Sequence, residues 1–412
     1  MTGLTLEGGG GKGAYQIGAW KAFREKGIDF DGVTGTSVGA LNGAMILQED
    51  FDLAWETWYN VEPNRVLSID DDINELITDW KLDQKNVSIL LEEIRKAIRN
   101  SGVDTAPLYD LVQQMINEKK IRDSTKDFGF VTYSLSDMEP LELFKEDVPE
   151  GKMADYLMAS SYLPVFKDRK FNGKRFLDGS FYNNLPINML LRKGYSKIYV
   201  VRLYGRGRIL KVDPGDTELV YICPNRELGG VLNFTTEQSR RNLQIGYLDT
   251  LRVLDKMEGS HYYIYDAPTD RAVLEAMLAW PTDLQKKMCT ALDLSQSKTL
   301  NRLFLEEALP YMIDIFELPK ESSHKDLIIA LMEAVAKSYE IESLQLYSFR
   351  DLLEKLNICT SHYEKKKDVY NKAAYLIKAS ESLMKIGKEK KRHDIVTLLG
   401  SNKDWISPLL TS

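Results

Sequence analysis

Gly35-Thr36-Ser37-Val38-Gly39 stands between an apolar stretch, Phe30-Asp31-Gly32-Val33, and a small-residue run, Ala40-Leu41-Asn42-Gly43-Ala44-Met45-Ile46. G-x-S-x-G is the pattern of a nucleophile elbow, a sharp strand-to-helix turn that exposes a serine hydroxyl. Gly35 and Gly39 belong to that pattern because a side chain at either place would block the turn or the substrate. The flanking residues fit, with a strand leading in and a helix leading out. Five residues with three fixed positions also occur in ordinary Gly-rich turns, so the motif needs company.

Gly8-Gly9-Gly10-Gly11-Lys12-Gly13 supplies some. Leu4-Thr5-Leu6 reads as a short buried strand entering it. Ala14 to Phe23 reads as a helix leaving it, with Gly27 as its stop. A glycine run at a helix N-terminus presents free backbone N–H groups to an anion, either a phosphate or a transient oxyanion. Strand and helix signals on both sides argue against a flexible linker. Gly8, Gly10 and Gly13 also fit the dinucleotide fingerprint G-x-G-x-x-G. That fingerprint wants an acidic residue after the second strand, whereas Asp29 and Asp31 come at the start of the second apolar run. A Walker-type phosphate loop does not fit, because Gly13 follows Lys12 where Ser or Thr is required.

Phe176-Leu177-Asp178-Gly179-Ser180, followed by Asn183-Asn184-Leu185-Pro186, is the third feature. An aspartate ending an apolar strand can reach into a site. Asp-Gly is equally a common turn dipeptide.

Taken together, the three features resemble the patatin-like phospholipases. Gly8 to Gly13 match the family's glycine loop, with Lys12 where arginine is more usual. Ser37 matches the nucleophile and Asp178 the base of a serine–aspartate dyad. Gly179 and Ser180 form the dyad loop, Ser180 standing where glycine or alanine is often found. Ala159 to Phe166 resembles the segment before the aspartate strand, and Phe128 to Tyr133 a core strand. The similarity covers roughly residues 1–270. It implies a lipid acyl hydrolase needing neither cofactor nor metal, with Gly8, Gly9, Gly10, Gly11, Lys12 and Gly13 forming the oxyanion hole.

The four histidines, His261, His324, His362 and His393, bear on this independently. None lies in the stretch holding the glycine loop, Ser37 and Asp178. A Ser-His-Asp triad would need one from far beyond it. His261 is the nearest, and it sits in an alternating strand-like run, Ser260 to Tyr265, that suits a structural role. A dyad fits better. Ser37 would then attack an ester carbonyl, with Asp178 accepting its proton directly and, later, that of the hydrolytic water.

At 412 residues the chain suggests two domains. Strands and helices alternate early on, which predicts an α/β three-layer sandwich with a mostly parallel central sheet over residues 1–270. Lys197 to Leu203 and Leu219 to Cys223 are further strands, and Gln238 to Lys256 a helix. Phe51 to Lys120 reads as helical cover or a lid, whose Trp55, Trp58, Tyr59 and Trp80 either line an acyl channel or sit in the core. Residues 271–412 read as an all-helical domain with helices over Asp283–Leu292, Thr299–Glu317, Lys325–Tyr339, Ser348–Leu356 and Tyr363–Ile386. Its basic stretches, Lys365-Lys366-Lys367 and Lys388-Glu389-Lys390-Lys391-Arg392, invite a peripheral membrane contact, against the plainer alternative of a solvated helix face.

The net charge of −7 does not favour nucleic acid or anionic lipid. Three widely spaced cysteines give neither a disulfide framework nor a zinc spacing and fit a reducing, cytoplasmic compartment. No signal peptide is expected, since none is visible ahead of the first strand, and no apolar run approaches the ~20 residues that span a bilayer. The expected activity is hydrolysis of phospholipid or lysophospholipid esters. The alternatives are a non-specific carboxylesterase or acylglycerol lipase, or an idle scaffold acting through the helical domain. A dinucleotide site would require Ser37 and Asp178 to lie far apart.

Overall fold

The computed structural model describes residues 1–66, 103–164, 166–167, 169–295, 298–361 and 383–411. They fall into two compact units, Met1–Val253 and Leu254–Ser412. The first is an α/β three-layer sandwich. Its strands are β1 (Thr2–Leu6), β2 (Gly32–Thr36), β3 (Asp127–Ser134), β4 (Glu139–Phe144), β5 (Phe176–Asp178), β6 (Lys197–Val201) and β7 (Glu218–Ile222). They form one sheet in the order β4-β3-β2-β1-β6-β7, with β5 added beside β3. Four pairings are parallel, and only β4 and β5 run antiparallel, both against β3.

The alternation of side chains along β1 explains the layers. Leu6, with Val33 of β2 and Phe128 of β3, faces Gly43 of the helix α2 (Val38–Leu47). Gly3 faces Leu190 of the helix Ile187–Arg192 on the opposite side. Thr5 and Thr34 join that second face, their hydroxyls 3.0 Å apart, and Thr34 donates to the Pro186 carbonyl. Both faces are therefore covered, as parallel sheets require.

The helix α1 (Ala14–Glu25) follows the glycine loop as expected. It ends in a Schellman turn, with Ile28 N–H donating to Phe23 O, Gly27 N–H donating to Arg24 O, and Gly27 at φ 65°. The first connection from β1 leads to β2 on one side, while β6 flanks β1 on the other. This reversal of strand order creates a crevice at the carboxyl ends of the strands.

Among its described residues the second unit is helical apart from one parallel pair of strands, β8 (Tyr263–Tyr265) with β9 (Leu346–Ser348). Helices over Thr282–Ala291, Leu300–Ile315 (with one π turn), His324–Ser338 and Phe349–Ser361 lie close to the expected bounds. The expected helix over Tyr363–Ile386 lies mostly outside the described residues, and a helix over Leu383–Gly400 follows. These helices share a core containing Trp280, Phe304, Leu331 and Trp405. The strand-like run around His261 belongs here: β8 pairs with a segment some eighty residues downstream, a non-local contact that local pattern cannot show.

Candidate active site

Ser37 closes β2 and opens α2 with φ 56° and ψ −127°, a conformation that non-glycine residues rarely adopt. The backbone there is tightly enclosed. A Cβ on Gly35 would lie 2.2 Å from the Gly39 carbonyl oxygen, and one on Gly39 would lie 2.4 Å from the Leu6 carbonyl oxygen. The Ser37 N–H donates to Ser160 Oγ at 3.0 Å, and Ser160 Oγ donates to Val131 O at 2.6 Å. Ser160 thus ties the elbow to β3, a role without any local sequence signal. Gly39→Ala should lower the thermal unfolding midpoint by the equivalent of about 1–3 kcal/mol or more, since the new methyl meets rigid backbone. An unchanged midpoint would contradict this close approach.

β5 brings Asp178 to Ser37. β2 and β5 occupy the same edge of β3 and run toward each other, Thr36 opposite Val131 and Asp178 opposite Thr132. Their ends meet there. Gly179 has no room for a side chain, because a Cβ would lie 2.2 Å from Val131 O. Asp178 is 1% exposed. Burial pushes its pKa up, while hydrogen bonding from Ser37 and from the N–H and hydroxyl of Ser180 pulls the other way. The Ser180 N–H lies 2.8 Å from Asp178 Oδ1. A dinucleotide site needed these two residues apart, and the fold brings them together.

The glycine loop runs beside them. The Gly8 N–H donates to Asn184 O at 3.1 Å and the Gly11 N–H to Val231 O at 2.7 Å. Asn184 Nδ2 returns a bond to Gly8 O. Gly10 has φ 55°, and a Cβ on it would lie 2.1 Å from Val231 O. Among the described residues no acceptor pairs with the N–H groups of Gly9, Gly10 or Val38. Lys12 points away: its ammonium donates to Leu203 O and Tyr204 O, both at 3.3 Å, and burial lowers its pKa. Gly13 is packed under Val38 and Trp58.

A cavity of about 370 Å³ opens over Gly8–Gly10, Ser37 and Asp178. Leu108, Leu111, Val112 and Met115 of the helix Ala106–Met115 line it, with Leu163, Phe166, Leu232 and Phe234. Trp58 of the helix Phe51–Tyr59 lines it too. Its indole N–H donates to Asn42 Oδ1 at 3.0 Å, and Asn42 Nδ2 donates to Gly13 O at 3.0 Å and Gln16 Oε1 at 2.8 Å. Trp55 and Tyr59 instead stack on each other, ring centroids 6.5 Å apart, away from the lining. Trp80 lies outside the described residues.

His261 is in the second unit, in the turn ahead of β8. Its backbone N–H, with those of Ser260 and Tyr262, donates to the buried carboxylate of Glu333. Lys388 pairs with Asp314 at 2.8 Å, Lys391 with Asp293 at 3.2 Å, and Arg392 lies over the Phe316 ring at 5.0 Å. Three residues of that basic stretch are therefore engaged within their own unit, while Lys365–Lys367 lie outside the described residues. Among the described residues no cluster of three or more His, Cys, Asp or Glu side chains could hold a metal ion, and no helix is long and apolar enough to cross a membrane.

Residues 4–191 match the family model described as patatin-like phospholipase. The chain is 24% identical over 277 residues to a patatin-like phospholipase domain-containing protein, ZK370.4, of Caenorhabditis elegans, covering 65% of this chain and 18% of that protein. It is 24% identical over 275 residues to lysophospholipase NTE1 of Saccharomyces cerevisiae, covering 65% and 15%. For patatin-like phospholipase domain-containing protein 7 of Rattus norvegicus the figures are 22% over 271 residues, 64% and 18%. The chain thus aligns with less than a fifth of each of these relatives. The crystal structure of VipD from Legionella pneumophila aligns over 98% of this chain and 91% of that one, at 15% identity and a TM-score of 0.38, too low to carry a likeness of fold. The match to the patatin-like phospholipase family over residues 4–191 spans the glycine loop, the elbow and the Asp178 strand.

Proposed function

We propose that this chain hydrolyses carboxylic esters of phospholipids or lysophospholipids through a Ser37–Asp178 dyad. One observation carries the reading: a serine on a strained elbow meets a buried carboxylate in the lining of a mostly apolar cavity. Ser37 Oγ attacks the ester carbonyl carbon and its proton passes to Asp178. The tetrahedral oxyanion is held by backbone N–H groups of the loop Gly8–Gly13, with Gly9 and Gly10 free to donate, and by the Val38 N–H at the start of α2. Collapse breaks the ester bond, and the departing alcohol takes the proton from Asp178. Water then attacks the acyl-enzyme, gives its proton to Asp178, and frees the fatty acid as Ser37 is restored. The acyl chain occupies the apolar wall between the helix Ala106–Met115 and Phe234.

The catalytic groups all come from the first unit, so residues 271–412 supply none of them. Cys223, Cys289 and Cys359, none of them in a disulfide, suit a reducing cytoplasmic setting. Fatty-acid release from lysophosphatidylcholine by the purified chain tests the reading, and no release above background would overturn it. In the same assay His261→Ala should keep most of the activity, because the His261 N–H serves a turn of the second unit. A folded His261→Ala protein as inactive as Asp178→Asn would establish a triad.

A further inference from the structure

Among the described residues, two charged side chains line the cavity over Ser37, Asp178 and Arg206. Asp178 is the buried base of the proposed dyad. Arg206 is exposed, so it marks the end of the cavity that opens to solvent. Among the described residues no carboxylate pairs with it. Glu7, the nearby buried acid, is taken up by Arg202 at 2.9 Å and by the N–H groups of Leu203 and Tyr204 at 2.6 and 3.0 Å. Lys12 stands close enough for Arg206 to disfavour its charged form, while Glu7 and Glu227 act in the opposite direction.

The loop carrying Arg206 is fixed to the site. The Arg208 N–H donates to Ser180 O at 2.8 Å, and the Asn184 N–H donates to Arg208 O at 2.6 Å. A Cβ on Gly205 would lie 1.9 Å from Gly8 O. The guanidinium therefore hangs from backbone that touches both the glycine loop and the dyad loop.

An ester whose carbonyl sits at Ser37 places its acyl chain along the apolar wall. Its alcohol portion must then leave toward solvent, where Arg206 stands. A neutral glycerol gives this cation nothing to pair with, whereas a phosphate accepts two parallel N–H donors from a guanidinium. We infer that Arg206 forms a phosphate subsite at the mouth of the acyl cavity, which makes the preferred ester a glycerophospholipid over a neutral acylglycerol. This rests on the hydrolase reading above.

Binding to the full chain carrying Ser37→Ala tests it without turnover. The ligands are an ether-linked lysophosphatidic acid, the 1-O-alkylglycerol of the same chain length, and inorganic phosphate, all measured by calorimetry below the micellar concentration. The phosphorylated lipid should bind more tightly than its neutral partner. Arg206→Gln should reduce that preference at least tenfold, Arg206→Lys should retain part of it, and Arg208→Gln should retain it in full. A preference unchanged in Arg206→Gln overturns the subsite. So does inorganic phosphate binding as tightly as the lipid, which would mark a free-phosphate site. A preference that arises only on anionic vesicles would assign Arg206 to surface attachment and overturn it as well. Failure of the hydrolase reading shows differently: the preference survives in Ser37→Ala, but the unsubstituted chain releases no fatty acid.

Discussion

Ser37→Ala is expected to lower turnover of a lysophospholipid by about 10³-fold or more. The scale follows from the role proposed for the hydroxyl: as the nucleophile it would form the acyl bond, and deleting a nucleophile removes the covalent route altogether. The substitution should leave the fold intact, since the Ser37 N–H rather than its hydroxyl holds the elbow to Ser160. It trades a hydroxyl for hydrogen at a residue 9% exposed and opens no large cavity. Fatty-acid release by the two proteins, measured side by side with their unfolding midpoints, checks this. Residual activity within tenfold of the unsubstituted chain, in a folded protein, would show that another group attacks the ester.

Asp178→Asn should cost about as much, for a different reason. The amide cannot take the Ser37 proton. Burial raises the Asp178 pKa, and the base works only when ionised, so activity should fall as pH drops through that raised value. The acid limb of kcat/KM therefore lies above the ordinary aspartate value of about 3.9. Folding has the matching sign. Because the folded-state pKa is above the unfolded one, the native state binds the extra proton, and this group's contribution to stability falls as pH rises from the unfolded value through the folded one. At neutral pH an ionised Asp178 works against the fold, so Asp178→Asn should be as stable as the parent or more so. Loss of activity with stability kept distinguishes a catalytic carboxylate from a structural one. An acid limb at or below about 3.9, or an Asp178→Asn protein with near-normal turnover, would remove Asp178 from the mechanism.

The first unit was legible where its rules are local. Glycine is forced at Gly35 and Gly39 by backbone a little over 2 Å away, and the sequence pattern reports that directly. Strands β1, β3, β6 and β7 carry continuous or alternating apolar runs that need no partner to be read. The meeting of Ser37 with Asp178 is another matter. It depends on β5 docking antiparallel to β3 just past the end of β2, a pairing across more than forty residues that only the family resemblance suggested. The edge strand β4 went unread because Glu139, Pro140 and Glu142 break its apolar pattern, as is usual for a strand half open to solvent.

Among the aromatics of Phe51–Tyr59, helical spacing alone could not choose which ring faces the cavity. Trp58 does so because its N–H finds Asn42, while Trp55 and Tyr59 find each other. Ser160, Asn42 and Arg206 act as single residues in helices or loops, and a single residue carries no periodic signal.

The central claim is that Ser37 is a nucleophile activated by Asp178. Reaction of the purified chain with a fluorophosphonate, followed by peptide mass mapping over time, tests it most directly. The account predicts one adduct, on the peptide carrying Ser37, that is absent in Ser37→Ala and forms far more slowly in Asp178→Asn. An adduct on a different serine, or equal labelling rates with and without the Asp178 carboxylate, would contradict it.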